Sequence, residues 1–295
     1  MTGRNAAIVV LLALVLFGEA NGSSARNGKS FLWKVRSSRG TVYLLGSVHL
    51  MKKNVYPLDS KIEAAFEKSD VLAVEANIDN FNSAEAGDIA RKSLYPSGDS
   101  LGKHVSEKTY DLAKSEALKL AIPLEIIDAE RPWFAALTFT SFELMREGLD
   151  PRYGIDSHFL SEAEGKKKIV ELESIDYQIN LLSNLPENEQ EMFLRYTLKD
   201  LGRLGSETAR VLHAWKTGNG EEMAALVSGD GGEDEELASF YGRLLYDRNR
   251  TMAAKIEGFL RTDRTYFVVV GAGHLVGKKG IVSILRDKGY EVEQL

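Results

Sequence analysis

The chain contains no cysteine. Disulfides, a thiol nucleophile and lipoprotein attachment are therefore excluded, and the core alone must hold the fold together. Basic tracts are also scarce. The longest is Lys166-Lys167-Lys168, between a helical and a β-like stretch, where it reads as a solvated helix end. With a formal net charge of -6, this argues against nucleic acid as a partner. The apolar run from Ala6 to Phe17 is too short for a comfortable membrane span.

Several catalytic signatures are missing as well. There is no Gly-x-Ser-x-Gly elbow, and no Gly-x-Gly-x-x-Gly or Walker pattern follows a strand. His-Glu-x-x-His is absent, which removes the helical zinc-protease arrangement. No repeat period and no low-complexity linker interrupts the chain.

What remains is an ordinary globular composition: 295 residues, 44% hydrophobic and 27% charged, enough for a full core. Arg4, the run Ala6 to Phe17 and the small residues after it have the layout of a secretory signal peptide over residues 1–25. Cleavage is expected near Gly18-Glu19-Ala20 or Ser23-Ser24-Ala25; a retained N-terminal anchor is the alternative. Residues 28–295 are expected to form a single domain, exported to the periplasm or outside the cell, with no stable membrane insertion after cleavage.

Residues 31–36 alternate apolar and charged, and 41–45 form an apolar β-rich run after a Ser-Ser-Arg-Gly turn, so the domain opens with a hairpin. Further strands are expected at 71–74, 123–128, 169–172, 265–270 and 290–293, the last edge-like. Ser60 to Glu63 reads as a capping box. Residues 79–104 read as loops with a short helix, and 106–120 as a helix. Pro132 opens a helix that is apolar on most sides and therefore central. Asp156 or Ser157 is placed to cap the next helix, and Ile175, Ile179 and Leu182 have helical spacing. From about 186 to 262 only helical patterns and breakers occur, and 278–288 forms a last helix. The expectation is an α/β fold: a mixed, mostly parallel central sheet, helices on both faces, and an α-helical insertion before the C-terminal strand-helix-strand.

Two strands end in the same way. Thr41 to Leu45 leads into Gly46-Ser47-Val48-His49, and Tyr266 to Val270 leads into Gly271-Ala272-Gly273-His274. The strand at 71–74 exits on Glu75, and that at 169–172 exits on Glu173. Ligands collect beyond the carboxyl ends of the strands in such sheets, so these four residues share a candidate rim. Two imidazoles with one or two carboxylates suffice for a divalent metal with open positions, and a carboxylate left over could act as general base. Each acid could instead cap a helix or pair with a basic residue. Asp156 is open between an N-cap and a site acid. Arg248-Asn249 is open between a surface Arg with a capping Asn and a substrate-orienting or oxyanion-stabilising pair. Trp133-Phe134 and Tyr153 supply aromatic context for a substrate or ligand. Among the other histidines, His104 is expected at the surface, His213 on a helix face, and His158 near the site only as a weak candidate.

Together the residues resemble the TraB/GumN family, which includes the Tiki Wnt-inactivating metalloproteases. The resemblance is carried by both Gly-x-x-His motifs, Val74-Glu75, Pro132-Trp133-Phe134, Gly154-Ile155-Asp156 with Phe159-Leu160, Leu172-Glu173-Ser174 with Gln178-Ile179, and Arg248-Asn249. It implies a fold similar to the erythromycin-esterase and haem-binding ChaN-like group, with a helical insertion. It implies a divalent ion, manganese or cobalt with zinc as an alternative, at His49, His274 and Glu75. Glu173, Asp156, Arg248 and Asn249 match further family positions. The site expected from the residues as a whole has Glu75, Glu173, Arg248 and Asn249 as catalytic candidates and Asp156, Tyr153 and Trp133 as substrate contacts. The function expected is a metal-dependent hydrolase acting on a peptide or protein. The alternatives are a non-catalytic binding protein for haem or a peptide signal using the same rim, and a metal-free esterase-like enzyme.

Overall fold

The computed structural model describes residues 28–77, 83–228, 240 and 242–295; the expected signal peptide lies outside them. Strands β1 (Leu32–Arg36), β2 (Thr41–Ser47), β3 (Val71–Val74), β4 (Lys168–Glu171), β5 (Thr265–Gly271) and β6 (Glu291–Gln294) form one sheet in the order β4-β3-β5-β2-β1-β6. The pairs β4/β3, β3/β5 and β5/β2 are parallel, and β1 is antiparallel to both β2 and β6. The sequence explains each place in that order. β3 (VLAV) is buried throughout, and β2 and β5 are buried beyond their first residue, as strands covered on both faces must be. β4 (KIVE) and β6 (EVEQ) carry charge and half-buried residues, which suits sheet edges.

Among the described residues the helices are α1 (Ser60–Glu67), α2 (Ser83–Ser93), α3 (Glu107–Lys119), α4 (Leu124–Asp128), α5 (Pro132–Arg146), α6 (Ile155–Ala163), α7 (Ile175–Ser183), α8 (Glu187–Lys216), α9 (Gly220–Ser228), α10 (Asp247–Leu260), α11 (Ala272–Leu275) and α12 (Ile281–Asp287). They flank the sheet, as the sequence pattern requires. α1 and α6 meet over β5, with the Phe66 and Phe159 rings 5.4 and 4.8 Å from that of Phe267. The helical stretch before β5 consists, where described, of α8, α9, a π-helical turn at Gly242–Tyr246 and α10. α8 lies along α5, and Trp215 near its end donates Nε1–H to the Gly46 carbonyl at 2.6 Å. None of the described helices is long and apolar enough to cross a membrane.

Four expectations are corrected. Residues 124–128 are the short helix α4, not a strand. Pro123 is its N-cap, Ile127 is buried and Ile126 is 45% exposed, so the short apolar run has one inward side rather than two. Asp59, not Ser60, caps α1 by accepting from Lys61 N. α6 starts at Ile155 with Gly154 as N-cap, so Asp156 is inside the helix and its carboxylate is not spent on capping. α12 begins at Ile281 rather than 278, because Gly277 adopts φ +80° and the chain turns before the helix.

Candidate functional site

The four parallel strands end on one rim, and their order gives the order of the side chains: Glu173 after β4, Glu75 after β3, His274 after β5 and His49 after β2. Ser47 pairs with Gly271 in register, so the two Gly-x-x-His motifs leave the sheet side by side. Gly46 is required there. A Cβ at this position would stand 2.4 Å from the Phe31 ring and 3.1 Å from Ala272 Cα. Gly154 plays the same part on the other side of His49, where a Cβ would lie 2.1 Å from the His49 carbonyl oxygen. Ile155 N–H donates to Val48 O at 3.1 Å, which seats the amino end of α6 on the His49 loop.

The two rim carboxylates are held by the Arg248 guanidinium. Arg248, 4% exposed, donates Nε–H to both oxygens of Glu173 at 3.0 and 3.1 Å and Nη2–H to Glu173 Oε2 at 2.8 Å. Nη2 also reaches Glu75 Oε2 at 3.2 Å, and Nη1 is anchored on Leu244 O at 3.0 Å. Gln178 Nε2, on α7, lies 3.3 Å from Glu75 Oε2 and 3.1 Å from Glu173 Oε2. Glu75 Oε1 accepts from Gly271 N at 2.6 Å. Burial would raise the Glu75 pKa. The charges of His274, Arg248 and His49 and the Gly271 amide prevail and hold it at about 2. Arg248 and the Gly271 amide lower it whichever form His274 adopts.

The two histidines sit in contrasting surroundings. His274, 1% exposed, has Nδ1 2.6 Å from Asn249 Oδ1 and Nε2 3.5 Å from Glu75 Oε1. Burial pushes its pKa down to about 3, against the attraction of Glu75. His49, half-buried, has Nδ1 2.6 Å from Asp156 Oδ2. Burial would lower its pKa as well, but the charge and hydrogen bond of Asp156, with Glu75 behind them, raise it to about 9. His274 thus contacts the Glu75 carboxylate directly, while His49 is paired with Asp156 and meets Glu75 only through its charge. His274 Nε2 and Glu75 Oε1 are the atoms that could hold a cation, with His49 as a further donor once it sheds a proton. Among the described residues, no three His, Cys, Asp or Glu side chains already converge as a metal centre.

The structure joins Glu75, Glu173, Arg248, Asn249 and His274 in one bonded network and sets the His49–Asp156 pair near enough for its charge to be felt at Glu75. The surface reading of Arg248 and the capping reading of Asn249 are corrected: both are buried and both touch rim residues. Trp133 does not belong. It is fully buried in α5 with Nε1–H donated to Lys92 O at 3.2 Å, and it offers no surface to a substrate. Tyr153 is half-buried just before α6, its carbonyl held by Tyr56 OH at 3.0 Å. His158 packs on Tyr56, outside the network, and His213 is exposed on α8 as expected. His104 is half-buried rather than exposed, stacked on Tyr95 and 2.8 Å from Asp99. Gln178 joins the site although its sequence position marks it only as a polar residue in the first turn of α7, in a stretch that resembles the family.

The fold and rim thus define an α/β protein with a buried histidine–carboxylate site at the carboxyl ends of parallel strands. The chain belongs to the TraB/PrgY/gumN family, which it matches over residues 31–294. It is similar to YbaP of Escherichia coli strain K12, 24% identical over 83% of this chain and 87% of that protein. It is also similar to Metalloprotease TIKI1 of Danio rerio, 23% identical over 90% of this chain and 63% of that protein, and to a Metalloprotease TIKI homolog of Amphimedon queenslandica, 24% identical over 98% and 67%. No solved structure matches the chain.

Proposed function

We propose that this protein is an exported, divalent-metal-dependent hydrolase of peptide bonds, with the ion held by His274 Nε2, Glu75 Oε1 and His49 Nε2. One observation carries the reading. A buried imidazole nitrogen and a buried carboxylate oxygen face each other at 3.5 Å, too far for a strong hydrogen bond. Two donors each about 2.0–2.2 Å from one ion must lie within about 4.4 Å of each other, which this pair satisfies. The resemblance to proteins named metalloproteases supports the reaction class, and the Arg4 to Phe17 layout supports export.

When bound, the ion would supply a Lewis acid and a water of lowered pKa. The chain's own residues do the rest. Arg248 holds Glu75 ionised and oriented. Glu173, with both oxygens on Arg248, is the anchor of that guanidinium rather than a free base. Asp156 holds the His49 ring in a fixed orientation, so that Nε2 is the nitrogen left to work on a ligand or a proton. Tyr153, half-buried beside the start of α6, is the substrate contact.

The test is a peptide-library cleavage screen with manganese, cobalt and zinc, run beside His49→Ala and His274→Ala. Cleavage that depends on an added ion and is lost in both variants is the expected result. Full metal-dependent cleavage in either variant overturns the assignment.

A further inference from the structure

Asn249 is 1% exposed, and both ends of its amide are occupied. Nδ2 lies 2.9 Å from Lys279 O, and Oδ1 lies 2.6 Å from His274 Nδ1. A backbone carbonyl can only accept, so the NH2 end must face Lys279. The oxygen is then left for His274, and because it also can only accept, Nδ1 must carry the hydrogen. With Nδ1–H committed to Asn249, Nε2, 3.5 Å from Glu75 Oε1, is the nitrogen through which a ring with a single N–H offers its lone pair.

The anchor of this chain is itself fixed. Residues 276–280 form a tight turn in which Gly277 adopts φ +80°. A Cβ on Gly280 would stand 2.2 Å from Val276 O. Lys279 Nζ sits 4.3 Å from the centroid of the Tyr246 ring. The turn that follows the second Gly-x-x-His motif thereby returns a carbonyl to α10.

We infer that Asn249 is a positioning residue that selects the Nδ1–H tautomer of His274, braced by Lys279 O, so that Nε2 is presented as an electron-pair donor to a cation shared with Glu75. Asn249 therefore acts through His274 rather than on a substrate, because its side chain is buried and each end of its amide already holds a partner. The use made of the cation rests on the hydrolase reading; the tautomer does not.

The test is 15N NMR of the metal-free full chain labelled at histidine, with His274 assigned by its loss in His274→Ala, followed by titration with Co2+. Wild type is expected to show a protonated Nδ1 and an unprotonated Nε2 at His274. Asn249→Ala is expected to lose that preference and to bind Co2+ about 10–100-fold more weakly. Asn249→Asp keeps an oxygen at Nδ1 but sets another against Lys279 O. It should lose stability yet keep the tautomer, with Co2+ affinity within about tenfold of wild type. A merely structural Asn would lower stability in both variants without separating their affinities. An Nε2–H ring in wild type, or wild-type affinity in Asn249→Ala, overturns the inference. If wild type has the Nδ1–H ring but binds no Co2+, the hydrolase reading fails and the tautomer assignment stands.

Discussion

Replacing Arg248 by Met strands two carboxylates. In the native protein Glu75 and Glu173 are 6% and 7% exposed and share this single guanidinium through contacts of 2.8 to 3.2 Å. Met fills much of the volume of Arg but returns none of the charge. Removing one partner from a buried ionic set costs about 3–5 kcal/mol, because the remaining charges stay desolvated. For a chain of this size, at about 2.1 cal/mol/K of unfolding entropy per residue, that corresponds to a melting point lower by roughly 5–9 °C. The deficit depends on pH with a definite sign. Without Arg248, the Glu75 carboxyl loses a charge that lowers its pKa while its burial, which raises it, remains, and the expected result is a folded-state pKa above the unfolded value. Its protonated form is favoured by folding at low pH, and that advantage disappears as pH rises through the raised pKa. The gap between wild type and variant is therefore largest at pH 7 and narrower at pH 5.5. Urea denaturation of both metal-free proteins at the two pH values measures it. A deficit below about 1 kcal/mol at pH 7, the size typical of an exposed ion pair, would refute the buried-clamp account. A gap independent of pH would refute the stranded-carboxylate explanation.

Gly154→Ala should destabilise by about 2 kcal/mol or more and displace the His49 loop, since its Cβ would fall 2.1 Å from the His49 carbonyl oxygen; an unchanged urea midpoint would show that α6 adjusts freely. The His49 pKa, raised to about 9, stabilises the fold fully below its unfolded value of about 6.5 and progressively less as pH climbs to 9. Asp156→Asn should flatten that alkaline decline in urea midpoints measured from pH 6.5 to 9, and a decline of wild-type size would exclude Asp156 as its source. Because His49 is protonated at neutral pH in the metal-free protein, an ion that takes its Nε2 should release about one proton, which calorimetry in buffers of different ionisation enthalpy will detect.

The rim was readable because its residues leave parallel strands, and strand exits can be located from apolar runs without knowing the strand order. Once 41–45, 71–74, 169–172 and 265–270 were seen as strands of one sheet, His49, Glu75, Glu173 and His274 had to emerge on one side of it. The short run 123–128 is ambiguous for the same reason: a six-residue stretch with four apolar residues looks alike in a strand and in a short helix, and only the packing around Ile127 decides. Asp156 and Asn249 stayed ambiguous because Asp and Asn cap helices with the same oxygens that they offer to imidazoles. Whether a backbone amide or a histidine takes that oxygen is set by tertiary contact. Trp133 was misplaced although the all-round apolarity of its helix already marked it as core. Gln178 is polar on a helix otherwise read by Ile175, Ile179 and Leu182, and nothing local separates it from a solvated glutamine until Glu75 and Glu173 are seen opposite it.

The central claim is that His274, Glu75 and His49 hold one divalent ion. Direct titration of the metal-free protein with Mn2+ by isothermal calorimetry tests it, with His274→Ala and Glu75→Gln alongside. The account predicts one saturable site per chain in the wild type and none in either variant. Saturable binding that persists unchanged in both variants, or none in the wild type, would contradict it.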